Sequence, residues 1–124
     1  MSICKDKYRG TREYALVYRE LITAAMYRGT VIYQEIAAIM GLPLTGSHMA
    51  REVGQILGEI SEDEVNNDRP MLSAVAVSKE GRSSEGFFGL AESLERITER
   101  SEATDKKFWE DEQKALYKLW QRQF

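Results

Sequence analysis

The stretch TVIYQEIAAIMGLPLTGSHMAREVGQILGEI, residues 30–60, decides the fold of this chain. Its first half has apolar residues at helical spacing, begins behind Thr30, a plausible N-cap, and stops at Gly41. A further helix is predicted to open near Ser47, whose hydroxyl can cap it. Its predicted buried face consists of Val53, Ile56, Leu57 and Ile60. Two helices joined by a turn at 42–46 have the layout of a helix-turn-helix.

The residues on either side of this stretch predict another helix and an acidic connection. Apolar residues recur every three or four positions from Thr11 to Arg28, which predicts an amphipathic helix that stops at Gly29. After the helix-turn-helix, residues 59–68 carry five acidic side chains before the first cation, Arg69. Within them, Ser61 and Glu64 have the spacing of a capping box, so we expect a short helical turn followed by a loop at 66–68.

After the acidic stretch the sequence pattern becomes typical of a β-hairpin. Residues 71–77 are uncharged, small and partly β-branched, which predicts a buried strand. A polar loop from Lys79 to Gly86 follows, and the apolar pair Phe87 and Phe88 is expected to be the returning strand. The predicted fold is therefore mainly α with a small β-hairpin: a winged helix-turn-helix with extra N- and C-terminal helices.

Two helices close the chain. Leu90, Ala91, Leu94 and Ile97 line the first of them. The last is expected to begin near Thr104, and its aromatic residues are Phe108, Trp109, Tyr117 and Trp120. These are most simply the inner face of the helix, although an exposed subset would anchor a protein partner. We expect one domain over 1–124, with a winged-helix core at 30–97 and a C-terminal helix within 98–124.

Composition excludes several classes of function. The 124 residues hold 17 Lys and Arg against 20 Asp and Glu, a net charge of −3, so the chain does not coat nucleic acid with a wholly basic surface. A single cysteine, Cys4, and a single histidine, His48, rule out an intramolecular disulfide and a multi-cysteine metal site. No apolar run reaches membrane-spanning length and no export signal is visible, so we expect a cytoplasmic protein without cofactor, metal or membrane contact.

Several short motifs, in the same order along the chain, resemble the C-terminal winged-helix DNA-binding domain of the alkylguanine-DNA alkyltransferases. Residues 30–37 look like their Thr-x-x-Tyr-x-x-x-Ala stretch, and residues 50–54 look like the Ala-Arg-x-Val-Gly of their recognition helix. The Arg-Pro at 69–70 and the Gly-aromatic and Leu-Glu-Arg pieces within 86–96 are similar to the segments before and after their active site. The resemblance covers residues 30–97.

This resemblance implies roles for two residues and also shows a departure. Tyr33 matches the tyrosine that crowds the target phosphate, and Arg51 matches the arginine that enters the duplex in place of an everted base. The Pro-Cys-His-Arg segment of the family corresponds to residues 73–76. Its cysteine and histidine are replaced by Ala74 and Val75, so alkyl transfer is not expected and the chain resembles alkyltransferase-like proteins without enzymatic activity.

Two functions remain open from the sequence. The first is non-enzymatic binding of double-stranded DNA, with a recognition helix at about 47–58 and a wing at about 78–86. Its candidate DNA-binding residues are Tyr33, Ser47, His48, Arg51, Gln55, Lys79 and Arg82. The alternative is a protein-interaction module on the same scaffold that has lost DNA binding and uses the acidic 59–68 loop or the C-terminal aromatic helix.

Overall fold

The computed structural model describes residues 2–121 and is mainly helical with a small sheet. Its elements are α1 (Arg12–Met26), β1 (Val31–Ile32), α2 (Tyr33–Ile39), α3 (Ser47–Asn66), a 3-10 helix (Leu72–Val75), β2 (Ala76–Val77), α4 (Glu85–Ser93) and α5 (Glu102–Trp120). The C-terminal helix was predicted within 98–124, and residues 122–124 of that range lie outside the described residues. No helix in the described part combines the length and apolar character needed to cross a bilayer.

The small sheet is parallel and is not a hairpin. β1 and β2 pair with Val31 opposite Ala76 and Ile32 opposite Val77. The expected wing at 78–86 is wrong as a hairpin because Phe87 and Phe88, the predicted returning strand, belong to α4. The reason is local: the Ser84 hydroxyl accepts the Phe87 amide and caps a helix at the point where the pattern predicted a strand. The 71–77 segment is buried as predicted, but four of its residues form the 3-10 helix.

Helices α2 and α3 form the expected pair, but neither has the predicted cap. Thr30 does not cap α2, because β1 comes between them and Ile32 occupies the N-cap position without a side-chain hydrogen bond. Ser47 is already inside α3, behind Gly46, and caps nothing. The turn between the helices uses Gly41 and Gly46, whose φ values of 73° and 99° suit glycine.

α3 is one uninterrupted helix of 20 residues, so the predicted acidic 59–68 loop is wrong over residues 59–66, which are helical. The expected loop at 66–68 is a turn at 67–68, directly after the helix. The apolar face expected on α3 is confirmed, since Val53, Ile56, Leu57 and Ile60 are buried. Ser61 does not begin a new turn; it lies fully buried in the middle of the helix. Its hydroxyl donates to the Ser73 hydroxyl (2.7 Å) and accepts the Ser73 amide (3.1 Å), which fixes the 3-10 helix against α3.

The aromatic residues of α5 face inward, as the simpler prediction held. Trp109 Nε1 donates to the Ala74 carbonyl at 2.8 Å, and the Tyr117 hydroxyl donates to the Gly29 carbonyl at 3.1 Å. Leu116 between them is fully buried. The helix begins at Glu102, where Ser101 and Thr104 form a capping box. These contacts attach α5 to the same core as α1 and the 3-10 helix.

Buried carboxylates on α3 hold distant segments in place. Glu64 is fully buried; it accepts Arg69 Nε at 2.5 Å and Nη2 at 3.1 Å, and it accepts the Tyr18 hydroxyl of α1. Burial, followed by the hydrogen bond to this carboxylate, raises the pKa of Tyr18 to about 12. A charge of this kind is tolerated in a protein interior because donors surround it.

We expect Glu64→Gln to lower the free energy of unfolding by about 2 kcal/mol, because hydrogen bonds between charged groups are lost inside the fold. Urea unfolding followed by circular dichroism measures the change. Glu99→Gln is the matched control, since Glu99 is exposed in the loop before α5 and should leave the urea midpoint near that of the parent. Equal midpoints for the two variants would contradict this role of Glu64.

Candidate functional site

The first turns of α3 present three of the predicted DNA-binding residues to solvent. Ser47 and His48 are exposed, and the Arg51 side chain is 68% exposed. Arg51 Nη2 lies 3.3 Å from His48 Nδ1, and its Nε lies 3.7 Å from the nearest oxygen of Glu52. The guanidinium is therefore directed outward with only loose neighbours, so its donors can serve an external acceptor.

Gln55, one turn further along α3, is already engaged within the protein. Its Nε2 donates to the Lys5 carbonyl at 2.8 Å and to Glu59 at 2.9 Å. The structure thus uses this predicted contact residue to hold the amino-terminal segment, and Arg51 and Gln55 do not act as neighbouring free groups.

Lys79 and Arg82 lie on an exposed turn between β2 and α4. The turn is closed by the Ser78 amide donating to the Arg82 carbonyl at 2.8 Å and the Gly81 amide donating to the Ser78 carbonyl at 2.9 Å. Within residues 2–121, neither cationic side chain has a hydrogen bond or ion pair to the start of α3. They form a separate basic point on the surface.

Two cavities of about 380 Å³ each lie along the same side of α3. The first lies between α3, α4 and the amino-terminal segment, and the second between α2, the 42–46 turn and the first half of α3. Both are lined by Tyr33, Gly54, Leu57 and Ser84. The two cavities therefore meet at Tyr33, close to the surface that carries Arg51.

Tyr33 is half-buried at this junction rather than standing out from the surface. Burial raises the pKa of its phenol, and the neighbouring Ser84 works in the opposite direction. The phenol consequently stays protonated at neutral pH and can donate a hydrogen bond into either cavity. Of the predicted site residues, Tyr33 lines both cavities and Gln55 lines the first.

The residues expected at the alkyl-transfer position are not those that line a cavity. Ala74 is fully buried, and its carbonyl accepts Trp109 Nε1 and Gln113 Nε2, which ties it to α5. The preceding residue, Ser73, faces the first cavity. No cluster of three or more His, Cys, Asp or Glu suited to a metal ion occurs within the described range 2–121.

Sequence reasoning did not anticipate the cavities because their walls come from separate segments. Phe87 and Ser84 approach from α4 and its cap, while Gly54 and Gly58 supply a floor without side chains. A Cβ on Gly54 would meet nothing within 4 Å, whereas one on Gly58 would lie 3.1 Å from Cys4 Sγ. The spacing of four between these glycines was the signal in the sequence, since it puts both on one face of a helix.

No protein-family model matches this chain, and no curated protein or solved structure shows significant similarity to it. Inferences about its function therefore depend on the residues themselves and on the resemblance described above.

The Glu52 carboxylate beside Arg51 makes folding sensitive to acid. Lys7 Nζ lies 2.5 Å from Glu52 Oε1, and the Tyr8 hydroxyl donates to the same oxygen at 2.5 Å. The hydrogen bond from Lys7, then that from Tyr8, outweigh burial and lower the pKa of Glu52 from 4.5 to about 2. Its stabilisation is complete above the ordinary pKa and is lost as the pH falls through the lowered one.

We therefore expect the parent to melt at a higher temperature than Glu52→Gln near neutral pH, and the gap to close as the pH falls from 4.5 to about 2. Thermal unfolding of both proteins across this range measures the gap. Glu110→Gln, on the exposed side of α5, is the control and should show a small gap that does not change with pH. A constant gap for Glu52→Gln would show that this carboxylate has an ordinary pKa.

Proposed function

We propose that this chain is a non-enzymatic protein that binds double-stranded DNA through the first turns of α3. The observation that carries the proposal is the outward-facing guanidinium of Arg51, whose side chain is 68% exposed and whose ion pair with Glu52 is long, at 3.7 Å. A planar guanidinium donates two parallel hydrogen bonds to a guanine edge or to a phosphate, and it stacks on bases. Few side chains suit DNA recognition as well when they project from the start of a helix.

The surroundings of Arg51 support an anionic partner. The N-cap position of α3 is Gly46, which offers no side-chain acceptor to the leading amide groups of the helix. Such amides and the positive end of the helix dipole attract phosphate. The Ser47 hydroxyl and the His48 ring lie exposed on the same turn and are the proposed phosphate contacts.

The acidic stretch that follows does not oppose this role. Glu59, Glu62 and Glu64 are buried, and each is met by amide or guanidinium donors. These three carboxylates are thus turned inward and are not displayed toward a phosphate backbone. The net charge of −3 therefore understates how favourable the first half of α3 is for DNA.

Resemblance to the alkyltransferase-like winged-helix proteins suggests how the pieces would cooperate. Arg51 would enter the duplex, and Tyr33, at the junction of the two cavities, would crowd the backbone beside it. The turn that carries Lys79 and Arg82 would replace the wing as a second contact to phosphate. Gln55 is proposed as a contact only if it exchanges its present partners, Lys5 and Glu59, for DNA.

We expect Arg51→Ala to weaken binding to a 20-base-pair duplex by about tenfold or more, the usual cost of removing an arginine that contacts a base edge. Fluorescence anisotropy of the labelled duplex measures the affinity. Raising salt from about 50 to about 200 mM should weaken binding by the parent steeply, because counterions are released on binding.

Arg19→Ala is the matched control for this experiment. Arg19 is an exposed arginine on α1, so its removal changes the net charge equally but leaves α3 intact. The proposal would be wrong if Arg51→Ala bound the duplex as tightly as the parent does. It would also be wrong if the parent showed no salt-dependent binding. The same titration on a duplex with an alkylated guanine tests the alkyltransferase-like resemblance separately.

The alternative function, a protein-interaction module, has less support. Its two proposed surfaces were the acidic 59–68 loop and the C-terminal aromatic helix. The first is helix with inward carboxylates, and Trp109 and Tyr117 of the second hydrogen-bond to the core. A pull-down that recovers a stoichiometric protein partner, with no shift of DNA at low salt, would favour this alternative.

A further inference from the structure

The amino-terminal residues 2–6, which we call the lid, cross α3 without forming helix or strand. They are held chiefly by one carboxylate. Glu62 accepts the Ser2 hydroxyl at 2.7 Å and the Ile3 and Cys4 amides. Ile3 contributes little packing, since it is 56% exposed. Arg9 Nη1 donates to the Cys4 carbonyl and to Asp6, and Gln55 donates to the Lys5 carbonyl. The lid is therefore attached by polar contacts to a few side chains rather than by burial in the core.

The residues after the lid have a deeper attachment of their own at Glu59, and Arg9 among them also bonds to Glu62. The amides of Lys7, Tyr8 and Arg9 all donate to the fully buried Glu59, at 2.9 to 3.1 Å for its Oε1. Tyr8 also packs against the hydrophobic core. The chain can consequently stay anchored at residues 7–9 when the contacts of residues 2–6 are released.

The lid covers the first cavity. Ile3, Cys4 and Lys5 form one wall, opposite Phe87 and Leu90 of α4. Cys4 approaches the helix closely because Gly58 has no side chain: a Cβ there would lie 3.1 Å from Cys4 Sγ. Without the lid, this wall would be absent and the apolar side chains of α4 would line an open cleft.

We propose that residues 2–6 form a lid that opens over the cavity between α3 and α4 while the rest of the fold stays intact, and that the open cavity takes a small, largely apolar molecule. The contacts of the lid support such opening, since none of residues 2–6 belongs to the hydrophobic core. The lining suits this ligand class, because Leu57, Phe87 and Leu90 provide apolar area and Ser73 and Ser84 provide hydroxyl groups. This proposal is independent of DNA binding.

Cys4 reports on the lid directly, because it is the single thiol in the chain. We expect iodoacetamide to label Cys4 of the native parent more slowly than Cys4 of the unfolded chain. The labelling rate should rise only weakly with urea below the unfolding midpoint, because opening a short segment exposes little surface. The proposal would be overturned if the labelling rate rose with urea as steeply as global unfolding does. It would also be overturned if Cys4 of the native protein were labelled as fast as Cys4 of the unfolded chain.

Glu62→Gln should increase labelling of Cys4 by about tenfold, the effect of weakening a hydrogen bond to a charged group. The rates are compared per thiolate, from the pH dependence of labelling in each protein, because burial, followed by the Glu62 charge, raises the pKa of the Cys4 thiol. Glu35→Gln, which changes an exposed carboxylate of α2, should label like the parent. The dye 8-anilinonaphthalene-1-sulfonate should brighten with Glu62→Gln at unchanged circular dichroism, because the apolar cavity becomes accessible. Faster labelling without brightening of the dye would show that the segment frays without gating the cavity, which also overturns the proposal.

Gly58→Ala tests the lid by changing its packing against α3 without altering a charge. The added methyl group crowds Cys4 and should speed its labelling severalfold, although alanine stabilises a helix interior by about 0.5–1 kcal/mol relative to glycine. Gly54→Ala brings the same helix stabilisation with nothing within 4 Å of the new Cβ, so its labelling rate should equal that of the parent. Equal rates for both alanine variants, together with parent-like labelling of Glu62→Gln, would reject the lid.

Discussion

The buried carboxylates of α3 are the constraint on which the rest of the structure depends. Glu59, Glu62 and Glu64 lie where water cannot solvate them, so each must be satisfied by donors from elsewhere in the chain. Backbone amides of residues 7–9 serve Glu59, those of residues 3 and 4 serve Glu62, and Arg69 serves Glu64. The path of the amino-terminal segment, the position of α1 and the end of α3 all follow from this requirement.

The same carboxylates mark the limit of what the sequence predicts. Apolar periodicity identified α1, the buried face of α3 and the inner face of α5, because burial of nonpolar side chains repeats at helical spacing. The pattern treats glutamate as solvent-facing, and so it predicted a loop at 59–68. Backbone donors to Glu59 and Glu62 lie 51 and 58 positions away at Tyr8 and Cys4, and the Tyr18 hydroxyl that reaches Glu64 lies 46 positions away. Local patterns contain no information about such distant donors.

The candidate site also has a part that the sequence predicts and a part that it does not. The exposure of Arg51 and its proximity to His48 follow from their places on one helix, since positions three apart are neighbours. The parallel sheet and the two cavities do not follow from any local pattern. Their residues come from α2, α3, the 3-10 helix and α4, and only the tertiary fold brings Tyr33, Gly54 and Ser84 together.

The two-residue pairing of β1 with β2 also has a consequence for how the chain folds. Val31 and Ala76 are partners although roughly 45 positions separate them, and closing so long a loop for so few hydrogen bonds is entropically unfavourable. The loop shortens in effect once the helices within it have formed and docked. We therefore expect the strands to join late in folding, after the helices between them have docked.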